Sequence, residues 1–155
     1  MEPLLKRFAN RAEALGSAVV VVSRDGLAHT LAADWSATTS ALEWLGSGWP
    51  TKGENTNVVA LARLGVAETG SVLLVEPAAE RAACLLAEHL WVILPSTVIV
   101  PTLSEALANA NSLVTTGARS LIFISGPSRT GDIERVLTIG VHGPAALTIL
   151  VVSGP

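Results

Sequence analysis

The 155-residue chain predicts a single α/β domain built on a largely parallel sheet flanked by helices. Three observations point there. Half of the residues are hydrophobic and 15% are charged, which supplies a sizeable core and too little charge for disorder. The apolar residues gather in short runs, Ser17–Val22, Val72–Val75, His89–Leu94 and Ala145–Val152. Runs of that length suit buried strands and fall far short of the roughly 20 residues a membrane-spanning helix needs, although the mean hydropathy is positive. Finally, the second half alternates helix and strand patterns at short spacing, as right-handed crossovers between parallel strands require.

From the amino terminus, Leu4, Leu5, Phe8, Ala12 and Leu15 repeat at helical spacing over Glu2–Leu15, with Gly16 as the stop. A valine-rich strand follows over Ser17–Ser23 and closes on the turn signal Asp25-Gly26. Leu27–Asn57 has no clear period. Ser40–Leu45 suits a short helix, Gly46–Pro50 with Gly53 suits a loop, and Trp35, Trp44 and Trp49 read as core or interface residues. Val58–Thr69 reads as extended, with a helix over Val58–Leu64 still open, before a tight Thr69-Gly70 turn and a strand at Val72–Val75. Pro77 opens a helix over Ala78–Glu88, placing His89 at its end, and Trp91–Leu94 is a strand closed by Pro95. Thr102 and Glu105 have capping-box spacing for a helix through about Val114. A strand at Leu121–Ile124, a helix over Asp132–Ile139 ending at Gly140 and a strand at Ala146–Val152 complete the order.

Composition narrows the function classes. Net charge is −3 and no basic cluster exists beyond Lys6–Arg7, so the stripe needed for nucleic acid is missing. Charges at Glu2, Lys6, Arg7, Arg11 and Glu13 interrupt the segment where a secretory signal would need an apolar centre. Cys84 is the sole cysteine; it can form no internal disulfide and cannot alone hold zinc or an iron–sulfur cluster. Among Ala82, Ala83, Leu85 and Leu86 it reads as an inert core thiol. The expectation is a cytoplasmic protein without metal or cofactor, with no membrane or nucleic-acid partner and with homo-oligomerisation left open.

Three segments can carry chemistry. Ser125-Gly126-Pro127-Ser128-Arg129-Thr130-Gly131-Asp132 follows an apolar strand and is expected to open a helix. There, backbone N–H groups and the positive helix end would face the carboxyl edge of the sheet, where open α/β sheets bind ligands. Ser128 and Thr130 can donate hydroxyls and Arg129 can clamp a carboxylate or phosphate. Equally, Ser128 or Thr130 can cap the helix with Arg129 in solvent. The glycine spacing fits neither a Walker A loop nor a dinucleotide fingerprint. Gly140-Val141-His142-Gly143-Pro144 offers a histidine in a turning loop, able to bind an anion, move a proton or remain solvated. Ala67-Glu68-Thr69-Gly70-Ser71 sets a carboxylate beside a glycine turn, as a base or nucleophile or as a hairpin corner with Glu68 outward. No Ser-His-Asp arrangement can be argued, so no catalytic residue is assigned.

In combination, Phe123–Thr130, Asp132-Ile133-Glu134, Gly140–Pro144 and Gly65–Ser71 resemble the signature of the LUD, or lactate-utilisation, family in order and spacing over about Gly65 to Val152. The resemblance implies the fold shared by ribose-5-phosphate isomerase, glucosamine-6-phosphate deaminase and CoA transferases (the NagB/RpiA/CoA-transferase-like class). It implies an accessory subunit in bacterial oxidation of L-lactate to pyruvate, beside two iron–sulfur proteins (A and B of the system) that carry the clusters. The candidate ligand-binding residues are Glu68, Thr69, Gly70, Ser125, Gly126, Pro127, Ser128, Arg129, Thr130, Asp132, His142 and Gly143. The alternatives are a stand-alone enzyme on a carboxylate or phosphosugar, with Glu68 in the place of the transferase glutamate, or a phosphosugar-binding regulator. Gly131 stands where the family commonly has alanine, and the first 60 residues have no clear match, so the amino-terminal part is expected to be divergent or shortened.

Overall fold

The computed structural model describes residues 3–34, 51–52, 57–75, 84–115, 121–131, 137–139 and 143–154. Helix α1 spans Pro3–Ala14 and buries Leu5, Phe8, Ala9 and Ala12, the stripe expected of a one-sided helix. Gly16 ends it with φ of 91°. The Gly16 N–H reaches the Glu13 carbonyl (2.9 Å) and the Ser17 N–H that of Ala12 (3.1 Å), a Schellman closure that needs the left-handed residue.

Strand β1 (Ala18–Ser23) passes straight into helix α2 (Arg24–Asp34). Asp25-Gly26 is therefore not a turn after the strand. The Ser23 hydroxyl accepts the Gly26 N–H at 3.1 Å, so Ser23 caps the helix and Asp25 lies in its first turn, favourable to the dipole. Val58–Thr69 is extended only as far as Val66, breaking at Ala62-Arg63 into β3 (Asn57–Leu61) and β4 (Leu64–Val66), and Ala67–Gly70 is a turn. Strands β2 (Thr51–Lys52), β5 (Ser71–Val75), β6 (His89–Pro95) and β7 (Ile99–Val100) follow, the last two joined by a 3₁₀ turn at Ser96–Val98. His89 thus begins a strand rather than ending a helix. Cys84 and Leu85 carry helical backbone and Leu86–Glu88 do not, so the helix expected over 78–88 stops short, while residues 78–83 and the expected 40–45 helix lie outside the described residues.

Helix α3 covers Leu103–Thr115 from the predicted start: the Thr102 hydroxyl accepts the Glu105 N–H (3.3 Å) and donates to the Glu105 carboxylate (3.2 Å). Strand β8 (Leu121–Ile124) and the final β11 (Ala146–Ser153) match expectation. Of the helix expected over Asp132–Ile139, residues 132–136 lie outside the described residues and Leu137–Ile139 is strand instead. Arg129–Gly131 (β9) and Leu137–Ile139 (β10) pair as antiparallel strands, with Thr130 opposite Thr138. Thr and Ile at the paired positions favour the pleated surface, and that cross-strand pairing prevails over the apolar spacing read as helical.

The strands form two main sheets. The first has the order β1-β11-β6-β3-β2, parallel except for the short edge strand β2. The second has the order β7-β4-β5-β8, parallel only between β4 and β7. Three apolar clusters set the layers. Leu5, Phe8 and Ala12 of α1 lie between inward residues of both sheets, among them Ala60, Val92 and Ile149 of the first and Val72 and Leu74 of the second. Leu27 and Leu31 of α2 cover the other face of the first sheet at Val59, Trp91, Ile93 and Leu150. Ala106 and Ala110 of α3 cover the other face of the second at Leu64, Val66 and Leu73. The layers run α2, first sheet, α1, second sheet, α3. Phe8, fully buried in the middle, contributes on the order of 2–3 kcal/mol. Cys84 is fully buried in the same central cluster. No helix among the described residues is long and apolar enough to cross a membrane.

Candidate functional site

Two turns at one end of the second sheet bring the signature segments together. Strand β4 ends in the Ala67–Gly70 turn, which closes with the Gly70 N–H on the Val66 carbonyl at 2.8 Å and returns as β5. Strand β8, paired antiparallel to β5, ends beside that return and leads into Ser125–Ser128. The two turns are joined by hydroxyls. Those of Thr69 and Ser71 share a hydrogen bond of 2.7 Å, and those of Ser71 and Ser125 one of 2.6 Å. Ser71 is buried, with 3% of its surface exposed, while Ser125 is exposed.

Both turns press a glycine against the end of α1. Gly70 has φ of 68°, and a Cβ there would lie 2.6 Å from the Arg11 carbonyl carbon and 2.8 Å from the Ala12 Cα. Gly126 has φ of 81°, and its Cβ would lie 2.7 Å from the Leu15 carbonyl oxygen. Only glycine meets both the left-handed backbone and the contact. On its far side the second turn is held by the Ser128 N–H, which donates to the Pro144 carbonyl at 2.8 Å. Gly143 approaches closely too, since a Cβ on it would stand 3.2 Å from the Ser128 Cβ.

A cleft of about 460 Å³ opens between these parts. Its walls are Ala14 and Leu15 at the end of α1, Leu85, Ile122–Ile124 of β8, the turn Ser125–Ser128, and Gly143-Pro144. Its lining is divided between apolar side chains and polar groups, the latter being the Ser125 and Ser128 hydroxyls and the turn backbone. Leu15 precedes β1, Leu85 precedes β6 and Pro144 precedes β11, so the cleft lies at the amino edge of the parallel strands. This corrects the expected carboxyl edge, because the Ser125 turn belongs to the second sheet and that sheet folds back over α1. The helix end at the cleft is the carboxyl end of α1, whose carbonyls carry negative partial charge.

Of the residues singled out in the sequence, Thr69, Gly70, Ser125, Gly126, Pro127, Ser128 and Gly143 are gathered around the two turns. Arg129 and Thr130 leave the second turn as the first residues of β9. Asp132 and His142 lie outside the described residues. Glu68 is turned elsewhere: it is exposed, and its Oε2 accepts the Leu103 N–H at 2.8 Å, capping α3. Ser71, which links the turns, and Leu15 and Pro144, which wall the cleft, were not among the sequence candidates. Ser71 stands in the Glu68-Thr69-Gly70-Ser71 phrase, and an interior hydroxyl after a glycine turn was the signal for it. Among the described residues no three of His, Cys, Asp and Glu come together as a metal site.

Comparison with known proteins matches residues 58–152 to the LUD domain. The chain is 32% identical to "Lactate utilization protein C" of Geobacillus thermodenitrificans over 90% of this chain and 65% of that protein. It is 32% identical to the Bacillus subtilis protein of the same name over 83% of this chain and 57% of the relative, and 34% identical to "Uncharacterized protein YkgG" of Escherichia coli over 61% and 42%. The chain thus spans less than two thirds of the length of these relatives. A DUF162 family protein from Deinococcus radiodurans shares the fold, with a TM-score of 0.69 at 19% identity over 97% of this chain and 96% of that one.

Proposed function

The chain belongs to the LUD-domain family, and on that premise we propose that it serves bacterial L-lactate utilisation as a binding subunit, acting beside iron–sulfur proteins that carry the redox centres. The observation that carries the reading is the 2.6 Å hydrogen bond between Ser71 and Ser125, which joins two signature segments 54 residues apart at the mouth of one cleft. The names of the relatives point to the pathway, and the chemistry of the cleft supports binding. Ser125 and Ser128 offer neutral hydroxyls to a small oxygen-bearing molecule such as a hydroxy or keto acid, and Arg129, which follows Ser128 in sequence, is the candidate to meet its carboxylate.

Glu68 favours this reading over acyl transfer. Its carboxylate is occupied at the start of α3, so the residue that would carry an acyl group in a transferase acts here as a helix cap. The test is co-expression of the tagged chain with the iron–sulfur proteins encoded beside it in its host. Stoichiometric co-purification that survives physiological salt is expected. A chain recovered alone, from a host whose growth on L-lactate is unaffected by its deletion, would overturn the reading.

A further inference from the structure

We infer that the free edge of β1 is a self-association surface, taking β1 of a second copy in antiparallel pairing to form one continuous sheet. β1 is bonded on one side only, to β11 through six registered residues, and nothing among the described residues pairs with its other side. Natural sheets protect such edges with charges, proline, bulges or brevity. The opposite edge of the same sheet follows that rule, for β2 is two residues long and one of them is Lys52. β1 does not. It is six residues long, Ala-Val-Val-Val-Val-Ser, without charge, proline or glycine. Val20 is 40% and Val21 45% exposed, and since neighbouring residues point to opposite faces, each face keeps an open valine at the middle of the strand, beside Val19 packed on the central cluster and Val22 buried under α2.

Charge selects the occupant. An uncharged strand offers a charged peptide no complement, whereas a second copy brings a strand of equal length with no charge on it. Symmetry together with the greatest overlap of the two strands then leaves two registers. Directly opposed residues share a face, and a two-fold axis normal to the sheet preserves faces, so each residue must pair with one of the same parity. Either Val20 or Val21 meets its own counterpart on the axis, with the other valines around it. In both registers Arg24, just beyond the strand, falls beside the uncharged Gly16–Ala18 stretch of the other copy, and the two arginines are held roughly 20 to 26 Å apart. No like charges oppose one another, and each copy's outward N–H and C=O groups find partners.

Sedimentation analysis of the whole chain over a concentration series tests this. The expected mass rises from 16.0 kDa toward twice that value. Val20→Lys and Val20→Glu, each alone, place like charges at or beside the axis and should each give a monomer with unchanged far-ultraviolet circular dichroism. Mixed in equal amounts, the two variants should restore the dimer, a rescue that mere damage to the fold cannot produce. A wild-type chain that stays monomeric throughout overturns the inference. So does a dimer indifferent to both substitutions, or the absence of rescue on mixing. Loss of β1 amide protection from hydrogen exchange on dilution is the readout should either variant fail to fold.

Discussion

The turn at Ala67–Gly70 and the turn at Ser125–Ser128 end two strands of one sheet, both press a positive-φ glycine against the last turn of α1, and they are tied by a single hydroxyl pair. They differ in where their side chains go. The first sends Glu68 to the start of α3 and buries Ser71. The second leaves Ser125 exposed and lines the cleft with Ser125–Ser128. The first turn is thus a joint, fastening α1, α3 and the second sheet, and the second is a lining laid over that joint. Substitutions in the first should be read in stability, and substitutions in the second progressively in binding.

Gly70→Ala should have the largest effect. Its methyl would enter the backbone of Arg11 and Ala12, inside the last helical turn and in the central layer, while the residue is forced into the left-handed region. Strain and overpacking together cost about 3–5 kcal/mol, a fall in Tm of roughly 10 °C or failure to fold. Chemical denaturation measures it, and a loss under 1 kcal/mol would show that the joint is not rigid. Gly126→Ala has the same backbone defect but meets one carbonyl, of Leu15, just past the helix end where the chain can yield. About 2–3 kcal/mol is expected. A cost equal to that of Gly70→Ala would erase the distinction between joint and lining.

Within the joint, Ser71→Ala removes the middle of the hydroxyl line and leaves Thr69 without that partner in a half-buried position, for about 1–2 kcal/mol. Glu68→Ala should cost less, about 0.5–1 kcal/mol, because the capped N–H of Leu103 is exposed and water replaces the carboxylate. Glu68→Gln, which keeps an acceptor oxygen, should recover most of that. If Glu68 were instead a nucleophile, stability would be unchanged and a thioester with an acyl-CoA probe would be trapped on the wild type alone.

The joint and the lining were unequally legible in the sequence. Strands β1, β6, β8 and β11 and helices α1 and α3 announce themselves because each is settled by a local pattern: a valine run, a 3.6-residue stripe, a Thr102–Glu105 cap. What misled is a local signal with two outcomes, decided by a contact the pattern does not show. Asp25-Gly26 is a turn signal locally, and only the Ser23 cap makes it a helix start. Leu137–Ile139 is apolar enough for helix or strand, and pairing with Arg129–Gly131 decides. The edge at which the cleft lies could not be read at all, because it depends on the second sheet folding back over α1. Gly70 and Gly126 stood in the sequence only as separate candidates in two segments; their common contact with the end of α1 is the physical reason both must be glycine.

Ser125→Ala is the smallest expected change in stability and the sharpest test of the lining. Ser125 is exposed, and its hydroxyl can be replaced by water on the Ser71 side, so the change should stay within about 0.5 kcal/mol. The same atom is the polar point at which the buried hydroxyl line meets the cleft. Because Ser71 must accept from one neighbour when it donates to the other, Ser125 can present either its proton or a lone pair, and so can meet a keto or a hydroxyl oxygen. Titration of the wild-type chain with pyruvate and with L-lactate should raise its Tm for both, and Ser125→Ala should reduce both shifts with the unliganded Tm intact. Arg129→Ala should abolish them, since both acids share the carboxylate. Wild-type shifts that Ser125→Ala leaves in place would put the ligand elsewhere, and the Ser125–Ser128 turn would then be as structural as the Gly70 turn beneath it.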